Sequence, residues 1–236
     1  MPTPSTPPAA RLVWLFDVDG TLVVTDGAAR EAFAFAAREC LGVDDDLAGI
    51  AFAGRTDPLI LGDILARHGR VGSDGFPERF WRVACARMGT LLTPGRGRVL
   101  SGVPELLARI GAEPAWIRGL LTGNTAAMAA LKLAHYGLAD DFVFGAFGDQ
   151  APDRDALARV AVAHAGRTWG VPPERCLVVG DTEHDVACAR AAGARAIAVA
   201  TGGRSRAELE RCDPDLVLDD LADPEPLLAW AGAIDA

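Results

Sequence analysis

Lysine is almost missing from this chain: Lys132 is the only one, and arginine carries every other positive side-chain charge. Long apolar runs are missing too. No stretch approaches the roughly 20 residues of a membrane-spanning helix, which argues against a membrane partner. No C-x-x-C pair occurs, and Cys40, Cys85, Cys176, Cys188 and Cys212 are odd in number and scattered. That spacing speaks against a disulfide framework and against a zinc site, and a reducing cytoplasm is the expected location. There is no basic stripe, and a net charge of −9 makes a nucleic-acid groove a poor expectation. Neither an internal repeat nor a heptad array is visible. Residues 1–10 are rich in Pro, Thr and Ser and lack the basic region and apolar stretch of a secretory signal, so they are expected to form a flexible tail.

The chain is organised around Leu12 to Leu22, an apolar run that ends in Asp17, Asp19, Gly20 and Thr21. Such a run, bounded by turn residues, predicts a strand buried on both faces. In open α/β sheets ligands bind outside the carboxyl ends of the strands, so both acids are well sited for chemistry. If the extended geometry persists, Asp17 and Asp19 share one side of the strand and perturb each other's protonation. One can then act as nucleophile or metal ligand while the other carries a proton. Gly20 lets the backbone turn closely beneath them. The plainer alternative is a strand-to-helix turn in which an Asp caps a helix.

Residues 27–95 show helical spacing and no convincing strand. Phe33, Ala36, Ala37, Cys40 and Leu41 mark one helix; Thr56 caps a second, with Pro58 in its first turn; Phe80, Trp81, Ala84, Cys85 and Met88 stripe a third. From Val99 onward apolar strands alternate with helices, the strands covering Trp116–Leu121, Phe142–Phe147, Cys176–Val179, Ala196–Ala200 and Leu216–Leu218. This pattern predicts an α/β fold: a Rossmann-like parallel sheet covered by helices on both faces, built from residues 11–26 and 96–236, with an all-α cap inserted at 27–95.

Parallel strands deliver their carboxyl ends to one edge, so three endings are expected to converge: Asp17 to Thr21, Thr122-Gly123-Asn124, and Gly180 to Asp185. The second offers a hydroxyl and backbone N–H groups at a helix N-terminus, which suits phosphate oxygens. The third brings Asp181 and Asp185 to the first two acids. Carboxylates crowded in this way need a cation, and hard oxygen ligands in small number suit Mg²⁺. With Asp19 protonated, three carboxylates against one Mg²⁺ and one arginine come close to neutrality.

The three endings in this order resemble the motifs of the haloacid dehalogenase superfamily, and the resemblance runs from Arg11 to about Thr201. It implies that Asp17 attacks phosphorus to form an aspartyl-phosphate, that Asp19 assists its formation and hydrolysis, and that Thr122, Gly123, Asn124 and Gly20 attend the phosphate. It also implies Mg²⁺ held by the Asp17 carboxylate, the Asp19 main-chain carbonyl and Asp181, with Asp185 behind or bonded through water. The superfamily usually adds a lysine in its third motif, and here the sequence departs. Lys132 follows the second motif and looks badly placed for that task. Arginine can substitute, and Arg154 or, less well placed, Arg159 are the candidates.

Asp19 favours a phosphatase or phosphomutase over the dehalogenase branch, and the lack of a cap lysine excludes a Schiff-base, phosphonate-cleaving branch. Residues 27–95 look like the superfamily's helical C1 cap, which implies a small phosphorylated metabolite as partner. Arg55, in Gly54-Arg55-Thr56-Asp57, is a candidate for meeting a second anionic group of that substrate. The expected activity is phosphoglycolate phosphatase-like hydrolysis. The alternatives are β-phosphoglucomutase-like transfer, or a non-catalytic protein that binds phosphometabolites. His68, His135, His164 and His184 are read as surface or packing residues, His184 being the one beside the metal motif.

Overall fold

Leu12–Phe16 form strand β1, and every side chain in it is buried. Leu12, Trp14 and Phe16 enter one apolar cluster while Val13 and Leu15 enter another, so the unbroken apolar run reflects burial on both faces. The computed structural model describes residues 11–235, and the tail expected over residues 1–10 lies outside them.

β1 stands inside a six-stranded parallel sheet with β4 (Trp116–Thr122), β5 (Phe144–Phe147), β6 (Cys176–Gly180), β7 (Arg195–Val199) and β8 (Leu216–Leu218), in the order β5-β4-β1-β6-β7-β8. The chain builds outward from β1 to β5, then returns to the other side of β1 to lay down β6. This return puts the carboxyl ends of β4, β1 and β6 side by side at a topological switch point. Helices α4 (Val103–Gly111) and α9 (Glu225–Asp235) cover one face through Val103, Leu106, Ile110, Leu227 and Ala231. Helices α6 (Arg154–Trp169), α7 (Glu183–Ala191) and α8 (Arg206–Glu210) cover the other through Leu157, Ala161, Val186 and Leu209. Between β4 and β5 lies α5 (Ala126–His135), with Thr125 at its N-cap.

Residues between β1 and β4 form α1 (Ala28–Leu41), α2 (Asp57–Arg67) and α3 (Phe76–Leu91). They gather a third apolar cluster, joined by Met128 of α5, in which the Phe33 ring meets those of Phe52, Phe80 and Trp81 with centroids 5.5, 5.7 and 5.6 Å apart. The Thr56 hydroxyl accepts from Leu59 N at 3.4 Å and so caps α2. One feature escaped the sequence pattern: β2 (Val23–Val24) pairs antiparallel with β3 (Arg98–Val99), joining the chain's exit to the helices with its return. Two residues per strand leave no readable alternation. Among the described residues, no helix is long and apolar enough to cross a membrane.

Candidate active site

β1 ends at Phe16, but Asp17 N still donates to Val179 O at 3.0 Å, so the sheet's register fixes the first acid. Asp17, Asp181 and Asp185 are all at most 5% exposed, and each offers an oxygen within 4.8 Å of the others. Arg154, at the start of α6 and itself buried, reaches 3.0 Å from Asp17 Oδ2 and pairs closely with Asp185 Oδ1. Asp185 Oδ2 accepts from Thr182 N at 3.0 Å and Thr182 Oγ1 at 2.7 Å, the capping arrangement that opens α7. Arg154 Nε is buried without a partner. Arg159, the other arginine candidate, instead donates from Nε to Ala191 O at the surface.

Burial pushes Asp17 up to about 6 against the pull of Arg154, with Asp185 and Asp19 adding repulsion. Asp181 is pushed up to about 8, again chiefly by burial and then by Asp185 and Asp17. Burial opposes the charge of Arg154, yet Asp17 and Asp185 hold its guanidinium well above the usual arginine value. Three buried carboxylates with one guanidinium therefore lack positive charge. The donor set, oxygens only and tightly grouped, fits a small divalent cation.

Backbone approaches this cluster closely. Gly20 has φ +79°, and a Cβ there would stand 2.5 Å from Asp181 Oδ2. A Cβ on Gly202 would stand 1.7 Å from the same oxygen, and Thr201 Oγ1 donates to Gly20 O at 2.6 Å. The loop after β7 is thus part of the site although the sequence reading passed over it. Its signal is the Gly202-Gly203 pair directly after a strand.

Asp19 lies differently from the strand-based expectation. Leu22 N and Val23 N both donate to Val18 O, so the chain turns immediately beyond Asp17 and the extended geometry does not persist. Both acids line one cavity, but Asp19 is half-exposed and faces other partners. Its Oδ2 accepts from Lys132 Nζ at 2.5 Å and from Asn124 Nδ2 at 2.8 Å. Lys132 Nζ also donates to Asn124 Oδ1 at 2.6 Å. Lys132 is therefore in the site, though beside Asp19; it is Arg154, and not Lys132, that faces Asp17. Helical side chains tilt toward their helix's N-terminus, so the long lysine stem on α5 runs back to the strand ends. Thr122, wholly buried at the end of β4, accepts from Asn124 Nδ2 at 2.8 Å and from Asn124 N at 3.3 Å.

The helical segment meets this edge at the start of α2. Asp57 N donates to Gly123 O, and Asp57 Oδ2 accepts from Thr125 N, both at 2.7 Å. Burial pushes the Asp57 carboxyl up to about 7, with Lys132 opposing. A Cβ on Gly123 would stand 2.2 Å from Arg55 O, so only glycine permits the contact. Arg55 itself reaches 2.9 Å from Asp63 Oδ2 on α2 while lining the cavity. His184 is exposed and lies against Gly54. The cavity of about 420 Å³ has Asp17, Asp181 and Lys132 on its sheet side and Phe52, Ile60 and Arg55 opposite.

A family model described as HAD-hydrolase-like matches residues 152–224. The phosphoglycolate phosphatase of Nitrosococcus oceani is 29% identical over 139 residues, 59% of this chain and 61% of that one. The aligned part thus spans about three fifths of that relative's length. Among solved structures, a β-phosphoglucomutase from Clostridium difficile superposes with a TM-score of 0.74 at 19% identity, covering 94% of this chain and 98% of that one. CbbY from Rhodobacter sphaeroides, solved in complex with phosphate, gives 0.72 at 22% identity, covering 90% of this chain and 96% of that one.

Proposed function

We propose, from the premise that this chain belongs to the haloacid dehalogenase superfamily, that it is a Mg²⁺-dependent phosphatase of small organic phosphomonoesters of the phosphoglycolate type. The observation that carries this reading is the placement of Asp17. It is a buried carboxylate 3.0 Å from the Arg154 guanidinium and clustered with Asp181 and Asp185, at the carboxyl end of a central strand. In the first half-reaction an Asp17 oxygen bonds to phosphorus as the ester P–O bond breaks, and the leaving oxygen takes a proton from Asp19. In the second, water gives a proton to Asp19 and its oxygen bonds to phosphorus. Phosphate leaves and the Asp17 carboxylate is restored.

The other residues position and neutralise. Arg154 offsets charge on Asp17 and on the incoming phosphoryl group. Thr122, Gly123 and Asn124, at the start of α5, together with Gly20, receive phosphoryl oxygens. Mg²⁺ would be held by the Asp17 carboxylate, the Asp19 carbonyl and Asp181, with Asp185 behind, and would supply the positive charge that lets an anionic phosphate approach these acids. Residues 27–95 act as a cap over the cavity, excluding bulk water and reading the leaving group, while residues 11–26 and 96–236 form the catalytic core.

The test is phosphate release from a panel of phosphomonoesters with and without Mg²⁺. Metal-dependent release that disappears in Asp17→Asn, with an unchanged circular dichroism spectrum, is the expected result. Full activity in Asp17→Asn overturns the assignment. Exchange of sugar-phosphate isomers primed by a bisphosphate, without net release, assigns transfer instead of hydrolysis.

A further inference from the structure

Lys132 stands out on three counts: it is the chain's single lysine, it is 1% exposed, and it touches no member of the Asp17–Asp181–Asp185 cluster. Lysine on a helix surface normally carries its ammonium outward to water along an apolar stem. Here the ammonium turns inward and is matched only by Asp19 Oδ2 and Asn124 Oδ1. An ammonium donates and cannot accept, so it fixes the Asn124 amide with oxygen toward Lys132 and nitrogen toward Asp19 and Thr122. One cation therefore orders three groups: the Asp19 carboxylate and the Asn124 amide directly, and Thr122 through that amide.

We infer that Lys132 is the positioning residue of Asp19, holding its carboxylate at the leaving-group side of the cavity while Arg154 serves Asp17. The inference rests on the phosphatase reading and divides that site into two poles, each with its own cation. The pairing of acids with cations follows the same division. Among the acids of the site, Asp17 and Asp185 face Arg154, and Asp19 faces Lys132.

A residue that acts through the proton carrier should matter in proportion to the leaving group's need for a proton. The experiment compares kcat/KM, which reports the first half-reaction, for an alkyl phosphate such as phosphoglycolate and for p-nitrophenyl phosphate, whose leaving group departs without protonation. In Lys132→Met the loss is expected to be about 10²-fold or more for the alkyl ester and at least tenfold smaller for the nitrophenyl ester. Lys132→Gln, which keeps a donor of similar length without the charge, is expected to show the same ordering and serves if the methionine variant fails to fold. Equal losses on both substrates, or no loss, overturn the inference while leaving the phosphatase reading intact. A wild-type protein that releases phosphate from neither ester overturns the reading, and the inference with it.

Discussion

The two walls of the cavity differ in how tightly their charges are held. On the sheet wall, Arg154 and the acids it faces are buried, and Asp185 is bonded through both oxygens. On the helical wall, Arg55 is 29% exposed and its carboxylate partner Asp63 is 43% exposed. A buried charge has one arrangement that satisfies it, whereas an exposed pair exchanges partners with water at little cost. Chemistry that must be repeated identically belongs on the first wall, and recognition that varies with the leaving group belongs on the second. The sharpest way to break this contrast is Arg154→Met. It strands Asp17 and Asp185 without their cation, and kcat is expected to fall by about 10³-fold while stability drops by ~3–5 kcal/mol. Steady-state kinetics and chemical denaturation check it, and a loss of activity with full stability would show that the guanidinium is not the acids' main support.

The next test uses pH and metal together. Asp17 at about 6, Asp57 at about 7 and Asp181 at about 8 are all raised chiefly by burial. In the unfolded chain aspartates titrate near ~3.9. Between these values the folded protein holds protons that the unfolded chain has released. The stability they contribute is present below about pH 4 and is lost as pH rises through 6 to 8. The metal-free protein is therefore expected to melt lower at pH 8 than at pH 5. A cation on Asp17 and Asp181 replaces those protons, so Mg²⁺ should raise Tm more at pH 8, by about 4 °C or more beyond its effect at pH 5. Thermal melts with EDTA or Mg²⁺ decide it; equal stabilisation at both values would place the ion away from these acids. Asp57 belongs to the helical wall, and Asp57→Asn should flatten the residual slope that Mg²⁺ leaves.

How much of this was legible beforehand follows the same division. β1 declared itself because a strand covered on both faces must be apolar throughout, and the clustering of Asp17 with Asp181 was legible because strand ends are where such a run stops. Arg154 was reachable because it begins a helix beside those ends. Lys132 was not: seven residues along α5 from Thr125, its place depends on the length and tilt of a side chain, which no spacing rule records. Asp57 reads locally as an ordinary first-turn acid on α2, and only the docking of α2 against Gly123 and Thr125 turns it into a buried link. The Thr201–Gly203 loop was missed for a related reason, since its closeness to Asp181 comes from β7 lying beside β6 in the sheet.

The smallest expected effects lie on the helical wall, and there the sign is more informative than the size. Arg55 faces the cavity but already pairs with Asp63 at 2.9 Å, so a second anionic group on a substrate must compete with that carboxylate. A partly exposed pair of this kind contributes no more than about 1 kcal/mol, equivalent to about fivefold in an equilibrium constant. Arg55→Ala is accordingly expected to raise KM by up to about fivefold for a phosphate ester that also carries a carboxylate, with kcat unchanged. Asp63→Asn removes the competitor and should lower that KM, while an alkyl phosphate with no carboxylate should respond to neither change. If both variants shift KM in the same direction for both substrates, Arg55 supports the loop that carries it and does not read the leaving group.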